Sequence, residues 1–292
     1  MENKILNVIN KCFKSDNVKI IYRLLGGMSN YTYLVKVDDE LYTVRFPGEY
    51  AEHFVDRNLE ENGINLFEKL GITNKTIYLN KEEGTKVSHY IDGYALSELK
   101  KNGKELPYVE VSNLLKVVHN SGLKAVNDYD GFTRLENYEK DLVDLGFALP
   151  QRYIEVKKDF LGYKGYLESQ KKVLCHNDSQ PSNFVLTSDN KLLIVDFEFT
   201  GNNDLIYDIA CFANMELSDG EKLLDVYFDH NVTNDEYKRF YLWRSYQAFQ
   251  WYNVAMFKEL VGMSKSLKLD FKAIADSYLE QAIENLNKAK TY

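Results

Sequence analysis

The residues most suited to chemistry lie in one polar stretch, Cys175 to Asn183, which is followed by the apolar segment FVL, a turn and the segment LLIVDFE. If the two apolar segments pair as an antiparallel hairpin, Asn183 begins one strand almost opposite Asp196, which ends the other. Amide and carboxylate oxygens around one point suit Mg²⁺, which takes few protein ligands besides phosphate oxygens. Asp178 would face the same space and accept a proton from an attacking hydroxyl, and His176 would organise the loop through backbone hydrogen bonds.

A second candidate site is the glycine-rich turn Gly26-Gly27-Met28-Ser29-Asn30. It separates two stretches rich in β-branched and aromatic residues, 19–25 and 31–37, and a third such stretch follows at 41–46. The three stretches predict an antiparallel meander. In that setting the backbone amides of the turn would cover phosphate groups, and the alternative is an ordinary hairpin turn.

Arg45, on the third of these strands, would contact the same phosphates. An acidic residue on the helix predicted over 54–70 would hold the arginine in place. We favour Glu60 as this partner, with Glu61 as the alternative. For either glutamate, a solvated surface position is the competing interpretation.

The order of elements predicts an α+β protein with two lobes. Two strands, 76–79 and 86–91, follow the predicted helix, and from Tyr94 onward the pattern is mainly helical, including 109–119 and 236–260. We therefore expect a small, antiparallel β-rich lobe over 1–91 and a larger, mainly helical lobe over 92–292.

Composition limits the possible partners and compartment. The 292 residues include 36 lysines and arginines against 44 aspartates and glutamates, a formal net charge of −8, which disfavours nucleic acid and anionic membranes as partners. Three cysteines without CxxC spacing indicate neither a disulfide framework nor a zinc cluster. The first residues lack the apolar core of a signal peptide, and no apolar run approaches the roughly 20 residues that cross a bilayer. The sequence predicts a cytoplasmic protein without membrane insertion, and it indicates no oligomeric state.

The polar stretch HNDSQPSN resembles the HxDxxxxN signature of the aminoglycoside phosphotransferase and choline kinase superfamily, whose fold is protein-kinase-like. Three blocks, LGGMSNYTYLVKVDDELYTVRFPG, CHNDSQPSNFVL and LLIVDFEFTGNNDLIYDIACF, are similar to those of the choline/ethanolamine kinase family, in particular the bacterial choline kinases of the LicA type. The similar blocks extend over roughly residues 20 to 260. The resemblance implies a bilobal fold and transfer of the γ-phosphate of ATP to a small alcohol.

The resemblance also implies roles for individual residues. Asp178 would be the catalytic base, and Asn183 and Asp196 would hold Mg²⁺. Arg45 would replace the kinase lysine, although its planar cation differs from a compact ammonium. Asp208 would brace the catalytic loop, with helix capping or a buried ion pair as the alternatives.

Two segments would bind the nucleotide. The residues implied to cover the phosphates are Gly26, Gly27, Ser29 and Asn30. The residues implied to form an interlobe hinge, with a backbone that binds adenine, are Ser88, His89, Tyr90 and Ile91.

The sequence identifies the acceptor less closely than it identifies the nucleotide. DFE replaces the DFG of protein kinases and no HRD or APE motif is present, which argues against a protein substrate. A quaternary ammonium such as choline is recognised by aromatic faces and nearby carboxylates. The candidates for this pocket are Glu198, Trp243, Tyr246, Trp251 and Tyr252, with core packing as the alternative for the aromatic residues. Ethanolamine, an aminoglycoside and thiamine remain alternative acceptors, and a nucleotide-binding pseudokinase is the non-enzyme alternative.

Overall fold

The structure is a computed structural model that describes residues 1–24, 30–51 and 55–292. The chain forms two compact units. The first comprises Met1–Asn127 and His176–Asn202, and the second comprises Asp128–Cys175 and Asn203–Tyr292. These units do not coincide with the lobes predicted at 1–91 and 92–292, and that division stays a prediction.

The first unit contains a five-stranded antiparallel sheet of order β1-β2-β3-β5-β4. Its strands are β1 (Val18–Leu24), β2 (Asn30–Val37), β3 (Glu40–Pro47), β4 (Thr76–Leu79) and β5 (Lys86–His89). The predicted meander is therefore confirmed, and so are the two later strands, although the second ends at His89. The β-rich sheet together with the many helices of the chain confirms the α+β class.

Alternation along β3 explains how the sheet separates its core from its polar face. Tyr42 and Val44 are buried against the amphipathic helix α1 (Glu2–Cys12), in a cluster with residues of β2 and β5. Because successive side chains of a strand point to opposite faces, Arg45 lies on the other face. Arg45 is directly opposite Lys86 of β5.

Helix α2 (Arg57–Leu70) begins at Asp56, whose side chain accepts hydrogen bonds from the N–H groups of Asn58 and Leu59. It ends at Gly71, which has φ of 69°, a left-handed conformation that glycine adopts without steric cost. The predicted end of this helix is confirmed. Its beginning lies later than the predicted residue 54, which is outside the described residues.

The rest of the first unit carries the polar stretch. Its elements are β6 (Gly93–Ala95), α3 (Leu96–Lys101), α4 (Tyr108–His119), a 3₁₀ turn (Pro181–Asn183), β8 (Phe184–Thr187) and β9 (Leu192–Ile194). A three-stranded sheet has the order β6-β8-β9. Phe184 pairs with Ile194 in antiparallel register, so the hairpin predicted between the two apolar segments is confirmed.

The second unit is mainly helical. Its elements are α5 (Gly131–Asp144), α6 (Gln151–Leu161), α7 (Lys164–Glu168), β7 (Lys172–Cys175), β10 (Gly201–Asp204, which begins in the first unit), α8 (Leu205–Phe212), α9 (Leu217–Tyr227), α10 (Asn234–Leu260), α11 (Met263–Leu267) and α12 (Phe271–Ala289). The predicted long helix is confirmed as α10, which begins with a capping box between Thr233 and Glu236. Within the described parts of the chain, no helix is long and apolar enough to cross a membrane.

Candidate active site

Arg45 is the centre of a charge cluster in the first unit, which it forms with Arg57, Glu60, Lys86, Asp196 and Glu198. Its Nη2 lies 2.7 Å from one carboxylate oxygen of Glu60 and donates to the other at 2.9 Å. The same nitrogen donates to the carbonyl of Gly84 at 3.3 Å, and Nη1 donates to Asp196 at 3.4 Å. The guanidinium therefore links helix α2 to the carboxylate that follows β9.

Glu60 is fully buried and is contacted by three cations. Besides Arg45, Arg57 Nη1 lies 2.7 Å from its carboxylate and Lys86 Nζ lies 3.5 Å from it. Burial opposes ionisation, but the three cations outweigh it and lower the pKa of Glu60 to about 2. Glu61, the alternative partner for Arg45, instead forms a surface ion pair with Lys81 at 3.0 Å.

Lys86 was not singled out from the sequence. Its ammonium group reaches the cluster because β3 and β5 are adjacent, although they are separated in the chain by α2 and β4. Burial and the neighbouring Arg45 lower the pKa of Lys86, and the surrounding carboxylates oppose that change. A lysine at the start of a predicted strand was the only signal for it in the sequence.

Asp178 is held by two side-chain amides. Asn183 Nδ2 donates to its backbone carbonyl at 2.7 Å and to its carboxylate at 2.8 Å. Gln180 Nε2 donates to both carboxylate oxygens, at 3.1 and 3.2 Å. Burial, followed by the negative charges of Asp196 and Glu198, raises the pKa of Asp178 well above its usual range. The carboxyl is thus fixed in position and has an increased affinity for a proton.

His176 is buried and connects the loop to the hairpin. Its Nδ1 accepts the backbone N–H of Asp178 at 3.2 Å, so its Nε2 carries the proton and donates to the carbonyl of Val195 at 3.0 Å. These are backbone contacts of the kind predicted for a loop organiser. Asn177, in a left-handed conformation with φ of 61°, adds hydrogen bonds from its side chain to the carbonyls of Phe199 and Gly201.

The donor set around Asp196 fits a divalent cation. The N–H of Val195 donates to the carbonyl of Asn183 at 2.9 Å, which places Asn183 beside Asp196. Both hydrogens of the Asn183 amide are directed at Asp178, so its side-chain oxygen faces away from that residue. Asp196 adopts a left-handed conformation with φ of 73°, and its side chain is 31% exposed.

Glu198 adds a second carboxylate to this set. It is buried, and within the described residues its Oε2 accepts no hydrogen bond and lies 3.7 Å from Arg57. Burial, and then the negative charge of Asp196, raise the pKa of Glu198 to about 8. Two adjacent carboxylates that the protein does not fully neutralise, together with an amide oxygen, suit a hard ion such as Mg²⁺.

The predicted nucleotide residues are only partly described. Gly26, Gly27 and Ser29 lie outside the described residues, and Asn30 is the first residue of β2. Their role in covering phosphates stays a prediction.

The predicted hinge has few backbone groups free for a ligand. Ser88 and His89 belong to β5, the His89 N–H donates to Lys75 and its carbonyl accepts from the Asn74 side chain, and the Tyr90 N–H donates to Leu41 at 2.9 Å. Within the described part of the chain, no hydrogen bond uses the Tyr90 carbonyl or the Ile91 N–H. These two groups are therefore the ones available to an adenine edge.

The aromatic candidates for the acceptor pocket lie in the second unit, mostly buried within it. Trp243 Nε1 donates to Asp204 at 2.9 Å, and the Tyr246 hydroxyl donates to the carbonyl of Gly131 at 2.7 Å. Tyr252 packs on Tyr153 with 4.9 Å between ring centroids. Their predicted contact with an acceptor stays a prediction, as does that of Trp251, the one aromatic candidate that is partly exposed.

Asp208 is fully buried in the first turn of α8. The residue that caps this helix is Asp204, whose side chain accepts the N–H of Ile206 at 3.1 Å. The capping role considered for Asp208 therefore belongs to Asp204. The role of Asp208 in bracing the catalytic loop stays a prediction.

The whole chain was compared with known protein families, sequences and structures. The model of the choline/ethanolamine kinase family matches residues 21–246. Protein LicA of Haemophilus influenzae is 25% identical over 248 residues, which are 80% of this chain and 72% of that protein. The crystal structure of the choline kinase LicA from Streptococcus pneumoniae has a TM-score of 0.77 at 21% identity and covers 98% of both chains. A structure of LicA in complex with AMP has a TM-score of 0.78 at 22% identity, again over 98% of both chains.

Proposed function

The chain belongs to the choline/ethanolamine kinase family, and on that premise we propose that it transfers the γ-phosphate of ATP to the hydroxyl of choline, giving phosphocholine. Membership of this family identifies a small-molecule kinase with an alcohol acceptor. The choice of choline, the cofactor Mg²⁺ and the roles of individual residues are parts of the proposal.

The observation that carries the proposal is the position of Asp178 beside Asn183 and Asp196. Asn183 and Gln180 both donate to the Asp178 carboxylate, which fixes its orientation. A carboxyl whose pKa is raised is a better proton acceptor than an ordinary aspartate. In the proposed reaction, Asp178 orients the acceptor hydroxyl and takes its proton as the oxygen attacks the γ-phosphorus, while the bond from that phosphorus to the β,γ-bridging oxygen breaks and ADP leaves.

Arg45 and the hinge supply the nucleotide contacts of the proposal. Arg45 is fixed by Glu60 and Asp196, so it stands next to the residues proposed to hold the metal. The Tyr90 carbonyl and the Ile91 N–H would pair with the amino group and a ring nitrogen of adenine. Phosphoryl transfer depends mainly on such positioning and on neutralised charge, because little covalent chemistry falls to the protein.

Asn183 and Asp196 would hold Mg²⁺, with Glu198 beside them. When bound, the ion neutralises charge on the phosphate oxygens. This position for Glu198, next to Arg57 and Asp196, supports a role near the metal more than the acceptor contact predicted for it from the sequence.

Choline is favoured over other alcohols by the relatives of the chain. Proteins of the LicA type are similar over most of its length, and one of them is described as a choline kinase. The aromatic residues of α10 remain the proposed source of faces for a quaternary ammonium, with Trp251 as the most accessible. Free cysteines at positions 12, 175 and 211 and the use of ATP are consistent with the proposed cytoplasmic location.

The test is ADP release by the purified protein, measured by a coupled assay with choline, ethanolamine, thiamine and an aminoglycoside as acceptors. We expect the highest kcat/KM with choline. Turnover of another alcohol while choline is inert would contradict the choice of acceptor but retain the kinase. No acceptor-dependent ADP release with any of the four would contradict the proposed activity.

A further inference from the structure

Lys86 and Arg45 occupy equivalent positions on neighbouring strands of the first unit. They are directly opposite each other in the β3-β5 pairing, so their side chains extend from the same face of the sheet. Both reach the carboxylate of Glu60, at 2.7 Å from Arg45 and 3.5 Å from Lys86. Two cations thus approach one carboxylate beside the proposed metal ligands.

The two cations differ in how far the protein satisfies them. Both terminal nitrogens of Arg45 donate to protein oxygens, those of Glu60, Gly84 and Asp196, and its Nε has no hydrogen-bond partner among the described residues. Lys86 has a side chain that is 14% exposed and makes only the 3.5 Å ion pair with Glu60 among its contacts in the described residues. An ammonium has three donors, and none of them makes a hydrogen bond within the described residues.

The carboxylate that pairs with Lys86 is already used by other donors. Glu60 accepts hydrogen bonds from Arg45 and Arg57, and the negative charges of Asp196 and Glu198 act on Lys86 without an ion pair to it among the described residues. A largely buried ammonium is costly unless it is hydrogen-bonded. Phosphate oxygens supply the hydrogen-bond acceptors that this lysine lacks.

We propose that Lys86 is a second phosphate-binding cation of this site, which supplies to the nucleotide the compact ammonium that Arg45 cannot provide. The inference rests on the proposed function, because it takes the bound phosphates to be those of ATP. Lys86 then contacts phosphate beside Arg45, which is also paired with Glu60 and Asp196. A purely structural lysine that only neutralises Glu60 is the alternative.

The test compares binding of ADP with binding of adenosine, which lacks phosphates, by isothermal titration calorimetry in buffer with MgCl₂. Loss of a charged hydrogen bond predicts that Lys86→Met weakens ADP binding by about tenfold or more and leaves adenosine binding within about twofold. Lys86→Arg keeps the charge and should lose less ADP affinity. The matched control is Lys81→Met, since Lys81 lies in the same β4-β5 hairpin, is exposed and pairs only with Glu61 among its described contacts.

Equal loss of ADP and adenosine affinity in Lys86→Met, or unchanged ADP affinity, would overturn the inference. Thermal melting identifies a variant that does not fold, and Lys86→Gln then replaces the methionine variant with the same expectation. Wild-type protein that binds neither ATP nor ADP would contradict the proposed function itself. Wild-type binding together with full ADP affinity in the lysine variants would contradict only the role of Lys86.

Discussion

The charge cluster of the first unit and the aromatic helix α10 of the second unit use their side chains differently. In the charge cluster, the buried Glu198 carboxylate has one oxygen that accepts no hydrogen bond from the described residues, and the Lys86 ammonium, on a side chain that is 14% exposed, donates no hydrogen bond to them. In α10, the polar ends of Trp243 and Tyr246 are buried and each donates to an oxygen of its own unit. The first arrangement is suited to a ligand, and the second is suited to a stable core.

The difference concerns these particular groups, because α10 also has two buried atoms without a hydrogen-bond partner among the described residues, Arg244 Nε and Asn253 Oδ1. A buried polar group costs free energy unless it is paired, so an unpaired group next to the proposed metal and phosphate positions is a candidate for completion by a ligand. Four aromatic residues of α10 were predicted from the sequence to contact a quaternary ammonium, with core packing as the alternative. Their contacts show that Tyr246 packs on Phe132 and Phe160 as well as on Trp243, which is what core residues do.

The largest expected effect on the charge cluster comes from Asp196. Asp196→Asn removes the negative charge proposed to hold Mg²⁺ and should lower kcat by about 100-fold to 1,000-fold. Steady-state kinetics with saturating ATP and choline measure this. Asp189→Asn, in the exposed turn between β8 and β9, is the control and should keep wild-type turnover. A kcat within threefold of wild type in Asp196→Asn would contradict the proposed role of Asp196 in holding Mg²⁺, and with it the proposal that the charge cluster is the catalytic region.

Glu60 tests how strongly the cluster stabilises the first unit. Glu60→Gln leaves three cations around a neutral buried amide and should lower the free energy of unfolding by about 3 kcal/mol. Urea denaturation measures the loss. Glu61→Gln, which breaks a surface ion pair, should change stability by less than about 1 kcal/mol. Equal effects of the two substitutions would show that the cluster is not a buried network.

The same glutamate predicts a pH dependence. The pKa of Glu60 is lowered from 4.5 to about 2, so its ionised form contributes stability above pH 4.5, and this contribution is lost as the pH falls towards 2. The difference in unfolding free energy between wild type and Glu60→Gln should therefore be largest near neutral pH and decrease below pH 4.5. A difference that stays constant from pH 7 to pH 3 would contradict the assigned ion pairs.

Tyr246 gives the smallest expected effect and tests the aromatic side of the comparison. Tyr246→Phe removes the hydrogen bond to the Gly131 carbonyl and should lower the unfolding free energy by about 1 kcal/mol. KM for choline should remain within twofold of wild type. An increase in KM of tenfold or more at unchanged stability would place Tyr246 in the acceptor pocket, as the sequence suggested.

Local patterns in the sequence were sufficient to predict the positions of several residues of the charge cluster. Alternation identified β3 and the hairpin that brings Asn183 towards Asp196, and helix periodicity placed Glu60 on α2. Lys86 was missed because β3 and β5 are not consecutive, so their register depends on packing of the whole sheet. For α10, periodicity predicted a helix but did not identify which aromatic residues pack in the core. The helix is buried on nearly all sides, so its sequence has no separate apolar face.

The most direct test of the central claim is the formation of phosphocholine, followed by ³¹P NMR with ATP and choline, for wild type and Asp178→Asn. We expect a phosphocholine signal from wild type and a rate lower by about 100-fold to 10,000-fold in the variant. ATP affinity should remain close to that of wild type, since Asp178 acts on the acceptor hydroxyl. A variant that forms phosphocholine at near-normal rate would contradict Asp178 as the base, and wild type that forms none would contradict the proposed activity.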